Sequence, residues 1–358
     1  ALCRRVGRFV ARRVLRRRRR RKGDRMSGVQ TLVVAEGEAG MRLDRWFRAH
    51  FPSLGHGALE KLLRTGQVRV GGGRVKANRR LEAGEEVRVP PQASSFERAP
   101  DGPRAPQHRP EDAAFIRQLT IYEDDALLAI NKPFGLAVQG GEKTRRHVDG
   151  MLASLEKNGE RPRLVHRLDR DTGGALILAR TRRAAAELGH AFQQHAVEKT
   201  YWALVVGAPS PRQGTIDFKI AKRMVRVGGD EQERVVPVDD EEAKKAITDF
   251  QTVESVGQVA FLALRPRTGR THQIRVHCAA MATPIVGDGK YGGPAARVEG
   301  VANELHLFCR SMTFPHPATG APTTVTAPLT GHMLETWRFF GFDAGAETSW
   351  PDDLIFGN

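Results

Sequence analysis

The sequence predicts an α+β protein in two parts: a large domain built on a mainly antiparallel mixed sheet, preceded by a small α+β module. Three observations carry that expectation. At 358 residues the chain exceeds the size at which one hydrophobic core usually stops growing. Residues 92–112, rich in Pro, Arg and Ser and without apolar periodicity, read as a linker between residues 28–91 and 113–343. Beyond the linker, strand-like apolar runs follow one another with few helical segments between them, which favours antiparallel pairing over a doubly wound sheet.

Taken in order, residues 1–27 form an Arg-rich head. Residues 1–25 hold twelve Arg and one Lys against Asp24, a net of +12 out of +16 for the whole chain. Such a segment repels itself and offers too little apolar area to fold, so disorder is expected. It reads as a phosphate-binding tail, as an Arg-rich transit peptide (though without Ser before Ser27), or as an extension upstream of a start at Met26, the reading favoured here. The remaining +4 is mild, so nucleic-acid binding has to be argued from local patches. Three scattered cysteines exclude a disulfide framework and suit a reducing cytoplasm. No apolar run approaches the roughly 20 residues needed to span a bilayer, so a soluble protein is expected.

In the module, Leu43, Trp46, Phe47 and Phe51 fall on one helical face, and Leu59, Leu62 and Leu63 mark a second short helix. Residues 67–70 and 74–75 alternate around Gly71–Gly73, a hairpin signal. The polar side presents Arg42, Arg45, Lys61, Arg64, Arg69 and Lys76, candidates for one phosphate-binding surface. Asp44, within Arg42-Leu43-Asp44-Arg45, sits one position off the apolar stripe. It is read as a first-turn helix residue favoured by the dipole, with no chemistry.

In the large domain, strands are expected over 126–130, 175–179, 201–206, 246–254 and 258–264, and helices over 183–195 and 271–282. The highly charged residues 222–245 are expected to loop out, and residues 344–358 to form a tail, loose from Ser349 onward.

The segment from Arg163 to Gly174 is the most informative. It sets Asp169 between Arg167 and Arg170 on a Gly-flanked polar turn between two apolar runs, where a rigid scaffold aims a side chain. A carboxylate acting as nucleophile or base in a dry pocket needs a cation to keep it ionised, because burial alone would neutralise it. Arg275 is the candidate, placed at the edge of a buried Ile274-Cys278-Met281 stripe. Tyr201, alternating with Ala203 and Val205 on a strand, offers a phenol to stack on a base. His272 and His277 do not share a helix face and form no recognised metal spacing. No glycine cluster has the context of a dinucleotide or phosphate loop, so neither metal nor cofactor is expected.

The Arg163–Gly174 segment resembles the H-R-L-D-x-x-T-[SG]-G signature of the RluA-type pseudouridine synthases. Three more segments resemble that family in the same order: Ile130–Leu136, Glu198–Val205 and Thr268–His277. The similarity covers about residues 28–342 and is greatest to the family's bacterial large-subunit ribosomal C subtype. Gly173 stands where the family usually has Ser. The small module resembles an RNA-binding unit first described in a ribosomal small-subunit protein and often fused to these synthases.

The resemblance implies a pseudouridine synthase catalytic domain and an isomerase acting on uridines of large-subunit ribosomal RNA. It implies Asp169 as the catalytic carboxylate, Arg275 as its pair and Tyr201 as the base-stacking, proton-handling residue. Ile274 would wall the pocket, Arg167 would help extrude the nucleotide, and Lys132 could touch phosphate. RNA is the implied partner, with no membrane, no cofactor, no obligate protein partner and a monomer as the default. Two other readings stay open: a transfer-RNA synthase of the same family, and a non-catalytic RNA-binding assembly factor.

Overall fold

The computed structural model describes residues 29–93 and 110–350, apart from 53, 92, 141–143, 145 and 158. The expected disordered head therefore lies outside the described residues, as do residues 94–109 of the expected linker and 351–358 of the tail. The chain divides into two compact units between residues 105 and 106.

In the first unit, β1 (Gln30–Val33) and β2 (Arg69–Val70) both pair antiparallel with β3 (Glu86–Val89). Helices α1 (Leu43–His50) and α2 (His56–Arg64) contribute Leu43, Trp46, Phe47, Leu59, Leu62 and Leu63 to its core. The Trp46 indole stays inside by donating its N–H to Glu38 Oε2 at 2.9 Å. The expected hairpin needs correction. Only a single bridge, Val70 to Gly73, forms at the glycines, and β2 finds its strand partner in β3 instead. Gly71 and Gly72 have φ of 55° and 76°, so the chain turns there without a return strand.

The second unit carries an 11-stranded sheet in the order β10-β9-β11-β12-β8-β13-β7-β5-β4, with β14 on β13 and β6 on β7. Its strands are β4 (Thr120–Glu123), β5 (Leu127–Lys132), β6 (Arg163–Leu164), β7 (Gly173–Ala179), β8 (Glu198–Val206), β9 (Gln213–Val227), β10 (Asp230–Pro237), β11 (Lys244–Val256), β12 (Val259–Pro266), β13 (Leu307–Pro315) and β14 (Pro322–Thr326). Every pairing is antiparallel except β13 with β7. The fold is α+β with a mainly antiparallel mixed sheet. Among the described residues five α-helices accompany it: α3 (Pro110–Gln118), α4 (Val148–Met151), α5 (Arg182–Gln193), α6 (Gln273–Ala280) and α7 (Gly331–Phe340).

β5 and β7 are buried along their whole length, as suits strands covered on both faces. α5 starts where Thr181 Oγ1 accepts the Ala184 N–H at 3.1 Å, and α7 stops at Gly341 with φ of 77°. Trp337 of α7 lies parallel to Trp202 of β8 at 6.2 Å, with Phe261 of β12 edge-on to both at 4.8 Å. Truncating such a ring to Ala typically costs about 3–5 kcal/mol.

Three expectations are corrected here. Helix α3 begins at Pro110, inside the stretch read as linker. Residues 222–245 do not loop out: most of them form the β9–β10 hairpin and the start of β11. Gly228 and Gly229 both adopt positive φ (61° and 97°) and make a two-residue turn whose twist matches the strands. The charges that suggested a loop line the edge of the sheet, where Lys222 pairs with Glu233 at 2.7 Å and blunts unwanted strand addition. The tail is not loose at its start either, because the Ser349 carbonyl accepts from Gln251 Nε2 at 2.9 Å and Trp350 lies under the Arg265 guanidinium at 4.7 Å.

Candidate active site

The sheet order explains how distant segments meet. β13 runs between β7 and β8, parallel to the first through Cys309↔Gly174 and antiparallel to the second through Cys309↔Tyr201. The turn that precedes β7 is thereby brought beside the middle of β8. Gly174 makes this possible: its φ is 105°, and a Cβ there would stand 2.2 Å from the Cys309 carbonyl oxygen. Only glycine fits. At Gly173 a Cβ would lie 2.8 Å from the Phe134 ring and 3.0 Å from Phe308. The space a serine side chain would need is filled here by two aromatic rings.

The Asp169 turn is held from three sides. The Asp169 carbonyl accepts from Thr172 N at 3.2 Å. His166 Nε2 accepts the Ile177 N–H at 2.8 Å, and its ring stacks on Phe192 at 4.9 Å. Burial, then the nearby Lys199 charge, push His166 down to about 3, so it serves as a neutral acceptor. Lys132 is the third support. It is 0% exposed, and its ammonium donates to the carbonyls of Pro133, Leu136 and Arg170 at 2.9, 2.8 and 3.0 Å. All three donors are used inside the protein, which corrects the expectation that Lys132 touches substrate phosphate. Burial pushes it down to about 7, opposed by Asp171 and Asp169.

Asp169, Tyr201, Arg275, Ile274 and Arg167 line one cleft of about 500 Å³, together with Lys199, Thr268, Arg270 and His272. The Tyr201 hydroxyl meets the Cys309 thiol, and burial first, then the neighbouring Cys309 and the Asp169 carboxylate, raise it well above the ordinary tyrosine range. It stays protonated. Cys309 is pushed up to about 12 by burial and is equally neutral. Ile274 is buried at the cleft wall and Arg167 is exposed at it.

Arg275 requires a correction. Its guanidinium makes a two-pronged ion pair with Asp288, at 2.8 and 2.7 Å, and Asp169 is not its direct partner. Burial opposes its charge, but Asp288, and after it the field of Asp169, hold it above the ordinary arginine range. Asp288 is 1% exposed and also accepts from the Lys290 and Tyr291 amides at 3.1 Å each. The guanidinium is therefore locked in place beside Asp169, acting on it through the field. The side chain nearest to Asp169 in an ion-pair sense is one weighed in the sequence only as a metal ligand: His272 Nε2 lies 3.8 Å from Asp169 Oδ2. Asp288 and Tyr291 were also missed, and no local pattern in the sequence announces them.

The loop before α6 is rigid. Buried Gln273 accepts from Thr268 Oγ1 and the Arg270 amide at 2.7 and 3.0 Å, and donates to Ile247 O and Thr248 Oγ1 at 2.8 and 2.9 Å. Its four bonds fix the residues that face the cleft.

In the first unit, Arg42, Arg45, Lys61, Arg64, Arg69 and Lys76 are all exposed. Arg42 is tied to Asp44 at 2.6 Å, and Arg69 donates to the carbonyls of Gly66 and Gly72. Among the described residues no group of three or more His, Cys, Asp or Glu could hold a metal, and no helix is long and apolar enough to cross a membrane.

Comparison with known proteins adds the following. A model of the RNA pseudouridylate synthase family matches residues 126–280. The ribosomal large subunit pseudouridine synthase C of Vibrio vulnificus (strain CMCP6) is 35% identical over 310 residues, covering 86% of this chain and 95% of that protein. Its namesake in Escherichia coli (strain K12) is 33% identical over 307 residues, covering 84% and 93%. Among solved structures, human RNA pseudouridylate synthase domain containing 4 aligns with a TM-score of 0.54 at 27% identity, covering 65% of this chain and 96% of that one.

Proposed function

The chain belongs to the RNA pseudouridylate synthase family and is an isomerase, and from that premise we propose that it converts uridines of large-subunit ribosomal RNA to pseudouridine with Asp169 as the reacting carboxylate. The isomerisation breaks the bond from ribose C1′ to N1 and makes one from C1′ to C5, while C5 loses a proton and N1 gains one. Electrons and atoms balance without a co-reactant. The observation that carries the reading is the convergence of Asp169, Tyr201 and Arg275 on one cleft of about 500 Å³, a volume suited to an everted nucleoside.

Each residue has a task in this reading. Arg275, immobilised by Asp288, sets a fixed positive charge in the cleft that Asp169 faces. Tyr201 offers its ring as a stacking surface and its protonated hydroxyl as a donor. Ile274 packs against the base, and Arg167, exposed at the rim, helps hold the nucleotide out of the RNA stack. The small basic unit adds phosphate affinity through Arg45, Lys61, Arg64 and Lys76, with lesser contributions from Arg42 and Arg69. The protein acts as a monomer in the cytoplasm, where ribosomal RNA is available.

The likeness to relatives named for the large ribosomal subunit supports that substrate class. Site-resolved mapping of pseudouridine in cells lacking the protein tests it. Specific pseudouridines should vanish from large-subunit RNA while transfer RNA keeps its own. An unchanged large-subunit pattern, or loss confined to transfer RNA, would overturn the substrate assignment.

A further inference from the structure

We propose that His272, fixed by Tyr291, is a positioning residue that orients the Asp169 carboxylate within the cleft. This deepens the reading of Asp169 as the reacting group and rests on it. His272 opens α6 with a left-handed backbone, φ 54°, which costs a non-glycine residue about 1–2 kcal/mol and persists where surrounding structure imposes it. Its ring bridges two groups: Nδ1 is 2.6 Å from the Tyr291 hydroxyl, and Nε2 faces Asp169 Oδ2 at 3.8 Å.

The hydrogen-bond directions follow from the neighbours. The Tyr291 hydroxyl oxygen accepts the Val235 N–H at 3.4 Å, and burial keeps that hydroxyl protonated. In the proposed arrangement its own proton goes to His272 Nδ1, and the ring proton sits on Nε2, the nitrogen nearer Asp169. The charged groups facing the ring are Asp169 from the turn before β7, Arg275 from α6, and Asp288 and Lys290 from the segment after α6. Burial, with Arg275 and Lys290, outweighs the two carboxylates, so the imidazole is neutral at neutral pH. A neutral N–H 3.8 Å away, beyond hydrogen-bond length, orients the carboxylate by its dipole and leaves its charge for the reaction. An imidazolium would instead bind it as an ion pair and blunt it. Arg275 makes its paired hydrogen bonds to Asp288 instead.

The test is single-turnover pseudouridine formation on a bound RNA substrate across pH, with RNA affinity measured in parallel. His272→Asn tolerates the left-handed backbone but lacks the reach, and Tyr291→Phe removes one hydroxyl with little risk to folding. Both should lower the chemical rate roughly tenfold, with RNA affinity unchanged. His272→Gln, whose amide nitrogen stands near the place of Nε2, should recover most of the rate lost in His272→Asn. It should also shift the acid limb of the rate profile to lower pH, since no imidazole remains to be protonated. Wild-type rates in both His272→Asn and Tyr291→Phe, or a loss confined to RNA affinity, would overturn the proposal. Asp169→Asn serves as the control. If it is inactive while the His272 and Tyr291 variants are unaffected, only this inference fails; if it is active, the reading of Asp169 fails first.

Discussion

The chain contains the same tetrapeptide twice, Arg42-Leu43-Asp44-Arg45 and Arg167-Leu168-Asp169-Arg170, and the two copies meet opposite fates. Both leucines are buried, and the two aspartate side chains are similarly exposed, 17% for Asp44 and 27% for Asp169. Burial therefore does not separate them. Partners do. Asp44 lies in the first turn of α1 with Arg42 clamped on it by two hydrogen bonds, so its charge is spent on a local interaction and the helix dipole. Asp169 lies on a turn between strands, where sequence-distant segments deliver Tyr201, Arg275 and His272 to one cleft. Chemistry at this tetrapeptide comes from what the sheet brings to it, and the four residues by themselves imply none.

Five substitutions and one deletion probe that contrast. The widest separation is expected between the aspartates: Asp169→Asn should lower turnover by roughly a thousandfold or more, and Asp44→Asn should leave it within about twofold, both read by pseudouridine formation. Next comes the arginine pair. Arg275→Ala should cost roughly a hundredfold in rate and, by leaving Asp288 buried without its partner, lower the melting temperature as well; Arg42→Ala should do neither. An Arg275→Ala enzyme with wild-type turnover would remove this residue from the site. Lys132→Met would leave three inward carbonyls without a donor, one of them on the Asp169 turn. A destabilisation of roughly 2–4 kcal/mol and about a tenfold slower reaction are expected. Removing the first unit should have the smallest effect on chemistry, with weaker RNA binding and a salt dependence flattened by about 0.9 for each phosphate that the unit had neutralised. An unmoved salt slope would assign that unit another task.

Much of this was legible in advance because it is written in local pattern. The apolar spacing of Leu43, Trp46 and Phe47 marks α1, the runs at 126–130 and 175–179 mark the strands found at 127–132 and 173–179, and the ordered segments containing Asp169, Tyr201 and Arg275 mark the cleft. What was missed depends on partners far away in the sequence. The β9–β10 hairpin carries so many charges that composition suggested a loop, although Gly228-Gly229 between alternating residues was the contrary signal. Lys132 was expected to be able to touch phosphate because nothing near it indicates that the Arg170 carbonyl will lie 3.0 Å away. Arg275 was matched to the carboxylate the motif offered, when Asp288, thirteen residues on, fits its fork in a way only coordinates reveal. His272 was weighed as a metal ligand by helical spacing, and its left-handed backbone, which places it before the helix proper, defeats that argument.

The most direct test of the central claim is complementation. Cells lacking the protein would receive either the wild-type chain or Asp169→Asn at matched abundance, and pseudouridine would be mapped base by base in the large-subunit RNA. Wild type should restore the missing modifications, and Asp169→Asn, though it still binds RNA within a few-fold of wild type, should restore none. Restoration by Asp169→Asn would contradict the claim.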